Sequence, residues 1–301
     1  MLRLLIDVGI PILVFMAMLV VGMELTAADF RRVTRRPGLV ALATLGQFIL
    51  LPGIGWLLVH LLPLQPSISQ GLLLIATCPA GAMANIYSYL ARANLALSVT
   101  LTAVSSIASL AMTPLAIAIL QSQSQGTKTL AMPIGILAAQ LLVVLLLPIA
   151  VGMSLRHCWP DITKTHGRIL LGISVASLAS LLLAIIVQEA QQFFVALPAV
   201  CVTASMLTIL AFLAGWLTGF VCRANSADCF TLGMVFVVRN AGIATAIAVT
   251  VLGRSEFAVF GTAYFLVQVP VLLAVVYLYR ITRADDVDAI PGQQLPEVQT
   301  L

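Results

Sequence analysis

Charge is the scarcest ingredient of this chain. Only 9% of its 301 residues are charged and 7% are aromatic, while 61% are hydrophobic. A mean hydropathy of +1.11 lies far outside the range of soluble domains. The three histidines, His60 near an outer interface and His157 and His166 in a loop, do not read as metal ligands, so a metal centre is not expected. Neither H-E-x-x-H nor G-x-S-x-G occurs, and an enzyme is not expected. Five cysteines form no C-x-x-C pair and read as buried, reduced thiols. Acids are missing where they would matter most. Asp7 and Glu24 lie towards the ends of the first apolar run and Glu189 just beyond a later one, so no carboxylate falls at the expected mid-depth of a span. Proton and sodium coupling usually require one there.

What the chain has is long, unbroken apolar runs, which indicate helices and exclude a barrel of short alternating strands. The expected fold class is an all-α polytopic membrane protein of about nine transmembrane helices. Span A covers 4–23, B 38–62, C 69–92, D 95–120, E 130–153, F 169–187, G 197–221, H 230–252 and I 257–279. The N-terminal run lacks a small-residue cleavage site and reads as an uncleaved span. Residues 284–301, rich in Pro, Gln and acids, read as a disordered tail.

The net charge of +4 comes from arginines and lysines in short loops, a topology pattern rather than a nucleic-acid footprint. Eleven of them fall on one side, among them Arg31, Arg32, Arg35, Arg36, Arg92 and Arg223, and only Arg3, Lys128 and Arg254 on the other. The first side is therefore cytoplasmic, with the N-terminus outside and the C-terminus inside. Spans C and H then cross in opposite senses.

Both of those spans are interrupted near their middle. Span C carries Pro79-Ala80-Gly81-Ala82 before Asn85, and span H carries Arg239-Asn240-Ala241-Gly242. Pro79, Gly81 and Gly242 are the expected helix breakers. A pair of interrupted segments in oppositely oriented halves points to inverted repeats, A–D and F–I, with a binding site where the breaks meet. Arg239 is the costliest residue of all, since a charge at bilayer depth costs about 2.5–3.5 kcal/mol on insertion scales and persists only in a protected polar setting. Gln47, midway along span B, either serves that site or bonds between helices. Ser98 and Thr102, one turn apart, face together.

The series GMELTAADFRR, QFILLP from Gln47, and TCPAGAMANIYSYLARANLALSVTLTAVSS, followed by the asparagine-bearing break in span H, resembles the bile acid:sodium symporter family. The resemblance runs to about Tyr279 and is most specific from Cys78 to Thr102. It implies a core domain with crossed broken helices (spans B, C, D, G, H and I, about 38–120 and 197–279) and a panel (spans A, E and F, about 4–23 and 130–187), together forming a transporter domain over 1–283. The family's first helix has no counterpart in the nine spans. A bacterial inner membrane is the expected setting.

The resemblance also implies a sodium site, whose matching positions here are Gln47, Ala84, Asn85, Ser98 and Thr102 with the segment from Val235 to Asn240. Ala84 stands where the family has serine. Val235 stands where it has an acid, and Arg239 where it has glutamine. Two sodium ions and one carboxylate sum to the same charge as one guanidinium beside a valine. The expectation is thus a secondary transporter of a small organic anion by alternating access, sodium-independent because Arg239 replaces bound cation. A sodium-coupled symporter with a reduced ion site, and a non-transporting membrane receptor of the same fold, are the alternatives. An arsenite-type permease with Cys78 as metalloid ligand fits the pattern less well. No cofactor is expected apart from the sodium that Arg239 disfavours, and the partners are the anion and the bilayer, without nucleic acid.

Overall fold

The computed structural model describes residues 36–122, 147–159 and 167–288, together with 12, 15, 16, 19, 22, 23 and 143. Span A and most of span E lie outside the described segments. Among the described residues the chain is helical throughout. The elements are α1 (Pro37–Leu61), α2 (Pro66–Thr77), α3 (Met83–Leu90), α4 (Leu95–Ser122), α5 (Leu147–Cys158), α6 (Gly167–Gln188), α7 (Ala190–Val221), α8 (Ser226–Val237), α9 (Ala241–Ala246) and α10 (Ala258–Asp288). Helix α9 continues as a π turn, Ile247–Val251, and a short 3-10 turn, Ser255–Phe257, leads into α10.

Three helical stretches, Pro37–Leu61, Ala190–Val221 and Ser255–Thr282, are long and apolar enough to cross a membrane. Helices α2 and α8 have 12 residues each. At 1.5 Å per residue each spans about 18 Å, roughly half of a ~30 Å hydrocarbon core. They are half-helices, and α3 and α9 are their continuations beyond the breaks. Pro37 and Pro66 sit in the first turns of α1 and α2, where a missing N–H costs nothing.

Two expectations about boundaries shift. Span F ends in QEAQQ as expected, with α6 stopping at Gln188, but the next helix does not wait until 197: α7 begins at Ala190 and meets α6 at Glu189. Glutamine is a good helix former, and Gln188 finds a partner at the helix end by donating to Ser255 Oγ at 3.0 Å. At the other end α10 stays helical through Asp288, past the expected limit at Arg283.

Helices α7 and α8 approach closely because Gly215 and Gly219, four residues apart on α7, present bare backbone to Leu232 and Cys229 of α8. This is the small-xxx-small contact by which membrane helices gain packing when lipid provides no hydrophobic drive between them. Two buried apolar clusters flank the breaks, one around Leu72, Ile75, Val200 and Phe260, the other around Leu51, Leu101, Phe236 and Leu272. Large apolar side chains such as Ile49, Val195, Phe220 and Tyr277 point outward instead, as a lipid-facing surface requires.

The α3–α4 and α7–α8 corners are built alike from the repeated triplet Arg-Ala-Asn. Arg92 and Arg223 close the preceding helices in the left-handed region, with φ of 52° and 54°. Ala93 N–H and Ala224 N–H then reach back to the carbonyls of Ser88 and Gly219 at 2.9 Å, the 6→1 bond of a Schellman ending. Asn94 and Asn225 cap the next helices, accepting from Leu97 N–H and Asp228 N–H. The corners lock together: Asn94 Nδ2 donates to Asp228 Oδ1 at 2.7 Å, and Arg36 Nη1 pairs with Asp228 Oδ2 at 2.6 Å. One buried carboxylate thus ties the starts of α1, α4 and α8.

Candidate functional site: the crossed helix breaks

The two breaks meet at the centre of the described fold. Helix α2 stops at Thr77 because Pro79 has no N–H to donate and disfavours helical geometry in the residue before it; Cys78 is extended at ψ 156°. Helix α8 stops at Val237, with Val238 extended at ψ 103°. Unwound backbone in an apolar setting must find partners, and each break supplies them for the other. Ala80 and Arg239 form an isolated antiparallel bridge. Gly81 N–H donates to Val238 O, and Asn240 N–H to Pro79 O, both at 2.9 Å. Gly81 permits the approach, since a Cβ there would stand 3.0 Å from the Arg239 carbonyl oxygen.

Arg239 is 3% exposed, and among the described residues no carboxylate pairs with it. Its Nη1 donates to Gln47 Oε1 at 3.1 Å and its Nη2 to the Cys78 carbonyl, while Nε has no partner. The guanidinium thus joins α1 to the C-terminal end of half-helix α2, where the helix dipole favours a cation. Gln47 is fully buried and offers its own Nε2 to Ala43 O at 3.4 Å.

The remaining site candidates divide. Asn85 Oδ1 accepts from Ser98 Oγ at 2.8 Å and Thr102 Oγ1 at 3.5 Å, which staples α3 to α4. Ala84 and Val235 are fully buried in the apolar cluster beside these helices. Asn240 caps α9, its Oδ1 accepting from Ile243 N–H at 3.1 Å, and Gly242 lies in that helix's first turn. The structure therefore brings Gln47 and Arg239 together, and separately Asn85, Ser98 and Thr102.

Three participants escape sequence reasoning. Thr113 Oγ1 donates to Thr77 O at 2.8 Å and Tyr264 OH to Val237 O at 2.7 Å, so the last carbonyls of both half-helices are capped from other helices. Ser105 Oγ accepts from Ala80 N–H at 3.3 Å and so satisfies an amide of the first break. Hydroxyls this far along the chain from the breaks carry no local signal. Among the described residues no group of three or more His, Cys, Asp or Glu could hold a metal.

An apolar chain, helical in its described residues, with two half-helix pairs meeting at a buried polar centre is an integral membrane protein of the crossed-break class. The family model described as the Sodium Bile acid symporter family matches residues 11–197, and the chain belongs to that family. The match includes the first break and Gln47, Asn85, Ser98 and Thr102; Arg239 lies beyond it. The probable sodium/metabolite cotransporter BASS1, chloroplastic, of Arabidopsis thaliana is 31% identical over 242 residues, 80% of this chain and 59% of the relative. The uncharacterized sodium-dependent transporter YocS of Bacillus subtilis (strain 168) is 34% identical over 108 residues, 35% of this chain and 34% of its own. A sodium-dependent organic anion transporter of Bos taurus is 32% identical over 133 residues, 43% and 34% of the two chains. The matches thus span between a third and three fifths of the relatives' lengths. The family resemblance read from the residues is borne out, as is the expectation of a non-enzyme, family members being transporters.

Proposed function

We propose that the chain is a secondary transporter that carries a small organic anion by alternating access and does so without sodium. The observation that carries this reading is the Arg239 guanidinium, buried at the crossing, bonded to Gln47 and the Cys78 carbonyl and without an acid partner among the described residues. It is a cation held by the chain itself. Arginine suits this place because its donors are fixed in a plane and it does not lose its proton.

The oxygens around it support the same conclusion. A hard cation needs lone pairs turned into a common cage. Here the Cys78, Val237, Val238 and Pro79 carbonyls accept from Arg239, Tyr264, Gly81 and Asn240. Asn85 Oδ1 accepts from two hydroxyls, and Val235 offers only hydrocarbon. Each of these oxygens already accepts a hydrogen bond from the chain, which supports a site that works without sodium. A fixed positive charge in a low-dielectric centre without a protein counter-charge favours an anionic substrate, in keeping with the organic anion transporter named among the relatives. Buried at the crossing, the Arg239 guanidinium acts on the anion through its field.

The moving parts in this reading are a core of 38–120 and 197–279 and a panel of 4–23 and 130–187, in a bacterial inner membrane with the C-terminus cytoplasmic. Counterflow in proteoliposomes with a panel of labelled organic anions tests it. One class of carboxylate or sulfonate should exchange in wild type and lose affinity in Arg239→Gln. If no anion exchanges while ligands still bind, the chain is a receptor of the same fold. A sodium-coupled carrier with a reduced ion site is the second reading, favoured by the word sodium in the relatives' names. A strict sodium requirement for exchange would establish it.

A further inference from the structure

Arg239 lies two residues beyond the end of α8. An arginine in that place can fold back onto the last carbonyls of its own helix, which are unpaired by construction and carry the negative end of the dipole. Arg239 does not do so: it reaches away, to α1 and α2. One carbonyl of that helix end, that of Val237, accepts instead from the Tyr264 hydroxyl at 2.7 Å. Tyr264 is 1% exposed. Its ring lies nearly parallel to that of Phe260, with the ring centroids 6.1 Å apart.

From this we infer that Tyr264 is a positioning residue for the transport site: by capping Val237 it denies Arg239 its local acceptor and commits the guanidinium to the bridge between Gln47 and Cys78. The inference rests on the transport reading for its consequence but not for its geometry. Arg239 Nε has no partner, so the guanidinium has a donor to spare for Val237 once the tyrosine oxygen is gone. Losing the cap would then draw the Arg239 side chain towards α8, break its bonds to Gln47 and Cys78 and move the fixed charge away from Gln47.

Tyr264→Phe removes a single oxygen and keeps the stacked ring, so the protein folds. The test is a double-mutant cycle of wild type, Tyr264→Phe, Arg239→Gln and the double variant, read by anion counterflow in proteoliposomes and by melting in detergent. Tyr264→Phe is expected to slow exchange about tenfold in the wild-type background and less than about twofold further in the Arg239→Gln background, because the residue it positions is already gone. The melting shifts should be non-additive in the same sense. A merely structural role gives equal losses in both backgrounds, and that result, or a Tyr264→Phe protein indistinguishable from wild type, overturns the inference. Non-additive melting in a wild type that carries no anion would uphold the role of Tyr264 and overturn the transport reading instead.

Discussion

Gly81→Ala places a methyl group between the two crossed segments. The added Cβ would stand 3.0 Å from the Arg239 carbonyl oxygen, 3.2 Å from its carbon and 3.3 Å from a Val238 methyl, whereas ordinary contacts between carbons lie at about 3.5–4.0 Å. Two of these atoms are backbone, pinned by the 2.9 Å bonds of Gly81 to Val238 and of Asn240 to Pro79. The segments must part by a few tenths of an ångström and stretch both bonds together. Overpacking of this kind costs about 1–3 kcal/mol, and Gly81→Val should cost more because its branch points into the same gap. The assay is the melting temperature of the purified variants beside their exchange rates in proteoliposomes. The control is Gly53→Ala on α1, where a Cβ meets nothing within 4 Å and alanine should be neutral or stabilising by up to about 1 kcal/mol. A Gly81→Val protein that melts and exchanges like wild type would refute the claim that paired backbone holds the crossing together.

The two Arg-Ala-Asn corners give a second prediction. Asp228→Leu removes the acceptor of Asn94 and Arg36 and should cost about 1–3 kcal/mol in melting experiments, chiefly through the hydrogen bond of the partly buried Asn94. Arg36→Gln should cost less, about 0–1 kcal/mol, because the Arg36 side chain is 59% exposed and its pairing is screened by solvent. Asn240→Ala removes the cap of α9 and should destabilise by about 1 kcal/mol. The same variant leaves the Asn240 N–H bond to Pro79 intact, so exchange should fall far less than in Gly81→Val.

The breaks were legible because their causes are local. Proline at 79 with small residues around it, and an arginine-asparagine pair inside an apolar run, each interrupt a helix on the spot, and the half-helices end beside those residues. The helix boundary at Ala190 was not legible, since a polar run such as QEAQQ reads equally as a loop or as a helix end with outside partners. Nor was burial of Asp228: in sequence it sits in an ordinary polar turn, and only the packing of α1 and α4 encloses it. The Arg-Ala-Asn triplet at 92–94 and 223–225 is plain in the sequence, but its meaning comes from the shared left-handed φ and the mutual contact of the corners. Family motifs grouped Asn85, Ser98 and Thr102 with Arg239. The structure gives them separate partners, because a motif records positions in a lineage and not which lone pairs remain free.

The central claim is that a guanidinium held by the chain takes the place of bound cation. Its most direct test is exchange of a transported anion by the wild-type protein with sodium on both faces of the vesicle replaced by potassium or choline. The account predicts rates unchanged within about twofold in wild type and a loss in Arg239→Gln. Exchange that collapses without sodium and returns with it would contradict the account.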